Sequence, residues 1–206
     1  MMAFSTRYWT SASASRWALA LGLMLAVLMA GAARATEIAG MRLERTPEAL
    51  LVSAQVRFDL PAVVDDALQK GIPLFFVAEA LVLRDRWYWY DKEVARASRH
   101  MRLSYQPLTR RWRLLVSNGP VTNSGQALGQ TFDTLDEALG VVRRISGWKI
   151  AEPQEVESDP RYAVTLRFRL DVSQLPRPFQ IGLVGQDDWT IVASRTLRLG
   201  APEAPR

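Results

Sequence analysis

The sequence has 206 residues, of which 49% are apolar and seven are tryptophan, and it contains no cysteine. A chain of this length can bury roughly two thirds of its unfolded surface and needs no staple to fold. The missing thiol excludes disulfide frameworks, thiolate metal sites and cysteine nucleophiles. The formal charge of +5 overstates the basicity: Arg7, Arg16 and Arg34 all precede Thr36 and no acid does, leaving 23 basic against 21 acidic residues beyond them. A nearly neutral remainder argues against nucleic acid as a partner and against an anionic membrane surface.

The first element is a leader. Two arginines among Ser and Thr residues precede the apolar run Trp17–Ala33, and Ala33-Arg34-Ala35 follows it. A charged start, an apolar middle and small residues at the A-x-A positions describe a secretory signal with cleavage before Thr36. Residues 1–35 are therefore expected to be a signal peptide, and 36–206 one domain in the periplasm. The alternative is an inner-membrane anchor over residues 17–33, since about 17 residues is the short limit of a spanning helix.

After the leader, Met41–Arg45 reads as a short strand. Leu50–Phe58 alternates, with Val52, Ala54, Val56 and Phe58 on one face and Ser53, Gln55 and Arg57 on the other, the period of a half-buried strand. Pro61–Lys70 reads as a helix capped by Asp59, stopped by Gly71 and buried through Val63, Val64, Ala67 and Leu68. Leu74–Arg84 is apolar on both faces except at Glu79, which suits a central strand. Arg86–Asp91 and Val94–Gln106 are further strands. Pro107-Leu108-Thr109-Arg110 turns the chain into a returning strand through Trp112, Leu114 and Val116.

Residues 117–130 are rich in Gly, Asn and Ser and read as an exposed loop. Thr134 with Glu137 has the spacing of a capping box for a second helix, with the stripe Leu135, Ala138, Leu139, Val142 and Ile145 and a stop at Gly147. Trp148–Ala151 is a strand, and Glu152–Pro160 a loop. Arg161–Asp171 alternates most clearly, with Tyr162, Val164, Leu166, Phe168 and Leu170 inward and Arg161, Thr165, Arg167, Arg169 and Asp171 outward. Gln180–Gly185 and Thr190–Leu199 complete the strands. About eight strands and two short helices predict a mainly β, antiparallel fold, a β-sandwich-like domain; an open sheet with both helices on one face is the alternative.

Few residues carry chemistry. Trp87, Tyr88, Trp89 and Tyr90 alternate faces in a strand, so one pair can enter the core while the other forms a platform for a glycan or peptide. The plainer reading is that all four rings are structural. His100, the sole histidine, lies on a strand face with Arg96, Ser98, Arg102 and Ser104. A general base needs a nucleophile and an orienting acid in reach, and no G-x-S-x-G elbow accompanies it. Glu79 in an apolar strand requires a partner or an elevated pKa. Asp187-Asp188 resembles a turn more than a cation site. The arginines Arg96, Arg99, Arg102, Arg110, Arg111 and Arg113 read as an anion-binding surface or as a solvated face. No P-loop, G-x-G-x-x-G or H-E-x-x-H is present, and no cofactor or metal is expected.

Several stretches in combination carry a resemblance. They are Ile72-Pro73-Leu74, Arg86-Trp87-Tyr88-Trp89-Tyr90, the hairpin from Leu103-Ser104-Tyr105 to Arg111-Trp112-Arg113-Leu114, the segment Leu170–Gln180 containing Leu175-Pro176-Arg177-Pro178-Phe179-Gln180, and Asp188-Trp189. Over roughly residues 37–199 the chain resembles a family of exported proteobacterial proteins, domain of unknown function 4390, also labelled proline-rich signal peptide protein. The resemblance brings no catalytic residue with it; it implies an envelope protein associated with a membrane sensor kinase. The expectation is a non-enzymatic periplasmic protein-interaction module. The alternative is a glycan- or peptidoglycan-binding domain using Trp87–Tyr90, and a hydrolase using His100 or Glu79 is the remote third.

Overall fold

The computed structural model describes residues 36–84, 92–119, 128–156, 162–175 and 189–199. The chain divides into two units, residues 1–35 and 36–206, and every described residue lies in the second. The leader, the Arg86–Asp91 strand with its Trp87–Tyr90 block, the Gln180–Gly185 strand and Asp187-Asp188 fall outside the described residues.

The elements run β1 (Glu37–Arg45), β2 (Leu50–Arg57), α1 (Ala62–Gln69), β3 (Leu74–Arg84), β4 (Lys92–Gln106), β5 (Arg111–Ser117), β6 (Leu128–Phe132), α2 (Leu135–Arg143), β7 (Arg144–Ala151), β8 (Tyr162–Leu170), a 3₁₀ turn at Val172–Gln174, and β9 (Val192–Arg198). They form two antiparallel sheets. The smaller has the order β1-β2-β7, the larger β6-β5-β4-β3-β8-β9. The fold is mainly β and sandwich-like, with two helices among the described residues.

One core joins the sheets. β2 contributes Val52, Ala54 and Val56; β3 contributes Leu74, Phe76, Ala78, Ala80 and Val82; β8 contributes Tyr162, Val164, Leu166, Phe168 and Leu170. Period-two alternation puts each set on one face, and full burial of a side chain of this size contributes about 1.5–3 kcal/mol. Phe58, Phe76 and Phe168 stack at its centre with ring centroids 5.5–5.8 Å apart. Arg195 on β9 donates to the Ile38 carbonyl at 3.0 Å and ties one end of the larger sheet to β1.

The helices are set by local chemistry. In α1, Gly71 takes φ +84°, its N–H reaches the Leu68 carbonyl, and that of Ile72 reaches Ala67. That pair of bonds is a Schellman ending, and its left-handed residue is why glycine follows Lys70. The N-cap is Pro61 without a side-chain bond, so the capping position is not Asp59; the helix begins at Ala62, after the proline that presets its φ. Val64, Ala67 and Leu68 are buried, whereas Val63 is exposed, because an eight-residue helix on a sheet needs only a narrow stripe. In α2 the Thr134 hydroxyl accepts from the Glu137 N–H at 3.3 Å, as the capping spacing requires.

Several features differ from expectation. β1 begins at Glu37 rather than Met41. β6 occupies residues read as the end of a loop; it is an edge strand, nearly all exposed, so no alternation marks it. α2 ends at Arg143, and Ile145 and Gly147 belong to β7. Gly147, with φ +52°, sits where the β2–β7 register shifts. A bulge and a helix C-terminus both call for a left-handed residue, which makes the two hard to separate in sequence. Asp171, expected to point outward, is 8% exposed. Its carboxylate accepts from the Ser173 N–H at 3.3 Å, the Ser173 hydroxyl at 2.6 Å and the Gln174 amide at 2.8 Å, and it pairs with Arg169 at 3.2 Å.

Candidate functional site: the groove between β4 and β7

β4 is longer than its neighbour. β5 pairs only with His100–Gln106, so from Lys92 to Arg99 the strand is bonded to β3 alone among the described residues. β7 is likewise an edge, paired among the described residues with β2 alone. Each edge leaves alternate backbone N–H and C=O groups without a ladder partner. The two edges border one groove of about 540 Å³, lined by Arg96, Ala97, Ser98 and Arg99 of β4, by Gly147–Ala151 of β7, and by Asn118, Glu152 and Glu155. Its size falls within the range typical of ligand-binding clefts, ~300–1,000 Å³.

Its charges are individually held, with one exception. Arg96 makes a two-pronged contact with Glu93 at 2.8 and 2.9 Å. That contact holds the Glu93 carboxyl below its ordinary pKa. Lys149 pairs with Glu152 at 2.7 Å, and Glu155 accepts from the Glu152 N–H at 2.7 Å. Arg99 has no carboxylate partner among the described residues. Its guanidinium lies 5.0 Å from the centre of the buried Trp148 ring. Burial lowers its pKa from the ordinary arginine value, because desolvation penalises the charge and no acid offsets it. A guanidinium stacked on an indole keeps its N–H edge available for an oxygen acceptor.

The arginines read together in sequence separate here. Arg96, Ser98, His100 and Arg102 share a face, in register with Leu81, Glu79, Val77 and Phe75 of β3, and Ser104 continues it opposite Arg113 of β5. Arg99 is three residues from each and points the other way, between the sheets. Arg111 pairs with Asp133 at 3.0 Å, and Arg110 sits in the hairpin turn with φ +54°. They do not form one anionic-ligand surface.

His100 and Glu79 lie on the face of the larger sheet away from the core. His100 is half-buried and its Nδ1 is enclosed without a hydrogen-bond partner. Its pKa is lowered, first by burial, with Arg169 acting in the same sense and Asp171 and Glu79 opposing. The Glu79 side chain is 29% exposed and 3.9 Å from Arg169, so the partner its strand requires is a loose one. Asp171, the acid nearest in electrostatic terms, is already committed to Ser173, Gln174 and Arg169, and this is a structural network. The Trp87–Tyr90 block lies outside the described residues. Sequence reasoning missed the groove: Arg99 and Trp148 were both visible as residues, but nothing in the sequence placed them face to face.

No curated protein and no solved structure matches the chain. A family model does, over residues 33–198, a span that contains both sheets, both helices and the groove. The protein belongs to the family described as domain of unknown function (DUF4390).

Proposed function

We propose that the protein is a non-enzymatic module of the cell envelope, exported to the periplasm, that binds a protein partner through the groove between β4 and β7. The observation that carries this reading is the pair of strand edges facing one cleft. Long unpaired edges are a hazard that proteins cover or use, and strand addition is the common use. The leader expected from the sequence supports the address, and the resemblance described above suggests a membrane sensor kinase as the class of partner.

Photocrosslinking in the native cell tests it. Benzoylphenylalanine at Lys149 or Glu152 should give a discrete adduct with one envelope protein. The same group at Thr196 or Arg167, on the other side of the larger sheet, should not. Adducts of equal yield from both sets, or none from the groove, would refute the proposal.

A further inference from the structure

The groove has a chemical preference, and this inference rests on the reading of it as a docking site. We infer that its occupant is an extended peptide segment carrying an acidic side chain, added as a strand along Lys92–Arg99 with its carboxylate on Arg99. Two independent features select that occupant. Among the described residues the backbone of β4 is bonded on one side only over this stretch, and an antiparallel or parallel segment is what satisfies such an edge. The side-chain environment then fixes the charge. Among the described residues Arg96, Arg99, Lys149, Glu152 and Glu155 are the charged groups of the cleft lining; Arg96 holds Glu93, Lys149 holds Glu152, and Glu155 accepts from the Glu152 N–H. Arg99 has no carboxylate partner among the described residues and lies half-buried on Trp148.

A buried cation without a counter-charge is costly, and a carboxylate that lands on it gains a two-pronged, charge-assisted contact in a partly desolvated place. A basic side chain landing on Arg99 would meet a like charge and be repelled there, because the acids Glu93, Glu152 and Glu155 are engaged elsewhere. The contact with the indole, 5.0 Å from the Arg99 guanidinium carbon to the ring centre, already restrains the side chain, so less freedom is lost when the carboxylate arrives. The rim pairs Arg96–Glu93 and Lys149–Glu152 are exposed and set orientation more than affinity.

The test uses the purified full chain and a phage-displayed library of random dodecapeptides. Selected peptides should share one Asp or Glu flanked by β-branched or aromatic residues. Binding, followed by fluorescence polarisation of the synthesised peptides, should weaken about tenfold or more in Arg99→Ala, the size of loss expected for a central arginine contact. Arg99→Lys should recover part of it. N-methylation of alternate peptide amides should abolish binding while leaving the side chains intact. Backbone NMR should move the amides of Ala97–Arg99 and Trp148–Ile150.

Peptides that move those amides yet carry no acid, or bind Arg99→Ala equally, would overturn the acidic-partner inference and leave the docking reading standing. Peptides that bind elsewhere, or a library that yields none, would overturn both. Concentration-dependent dimerisation through the same amides would make a second copy the occupant, and that too overturns the inference.

Discussion

Asp171 offers a quantitative test of how the end of β8 is held. Its side chain is 11% exposed. It receives the Ser173 N–H and hydroxyl, the Gln174 amide and the Arg169 guanidinium. Burial works to raise its pKa, but the hydrogen bonds from Ser173 and Gln174 and the charge of Arg169 outweigh burial, and the net shift is downward. A hydrogen bond to a charged group contributes about 1.5–3 kcal/mol, and bonds within one network do not add. Asp171→Asn keeps the shape, loses the charge and cannot accept all four contacts, so at neutral pH it should cost about 2–3 kcal/mol.

The pH dependence has a definite sign. A folded pKa below the unfolded value, which is about 3.9, gives stability that is fully present above that value and is lost as pH falls through the folded pKa. Urea unfolding of wild type and Asp171→Asn should therefore show a gap that is constant from neutral pH down to about 5 and closes as the pH drops below about 4. A gap under about 0.5 kcal/mol, the scale of an ordinary surface change, would refute the network. So would a gap that does not close in acid.

Phe168→Ala empties the centre of the Phe58–Phe76–Phe168 stack and should cost about 3–5 kcal/mol in the same assay. Gly71→Ala forces a Cβ into a left-handed position at φ +84° and should cost about 1–2 kcal/mol. Thr134→Ala removes the α2 cap at a cost of about 1 kcal/mol, seen as a lower urea midpoint with an unchanged slope. The single histidine should titrate below its ordinary pKa by NMR. Because the unfolded chain then takes up the proton first, His100 opposes folding as pH falls below about 6.5, and His100→Gln should be relatively more stable in acid. A His100 resonance titrating at or above the free value would contradict its burial.

The strands that bury one face announce themselves. β2 and β8 alternate because every second residue enters the core, and β3 reads as central because β4 and β8 flank it. Where burial is absent, so is the pattern: β6 lies at an edge with exposed Leu128 and passes for a loop. Asp171 looked like the last outward residue of β8 because its partners, Ser173 and Gln174, are contacts of a turn rather than of a strand. Gly147 misled in a different way, since two backbone devices share one residue type. The groove depends on β4 and β7, which are distant in sequence and belong to different sheets. Local pattern carries no information on which edges meet. It also grouped Arg99 with Arg96 and Arg102, which the period of two assigns to the opposite face.

The proposed exposure of the β4–β7 cleft in the periplasm, and its occupation there by a partner, can be tested together with one cysteine. The natural sequence has no cysteine, so a single Lys149→Cys can be read without background. In spheroplasts it should react with a membrane-impermeant maleimide, but several-fold more slowly than in the purified protein, while Thr196→Cys should react alike in both. Labelling of Lys149→Cys only after lysis would contradict export, and equal rates in cells and in the purified protein would contradict an occupied groove.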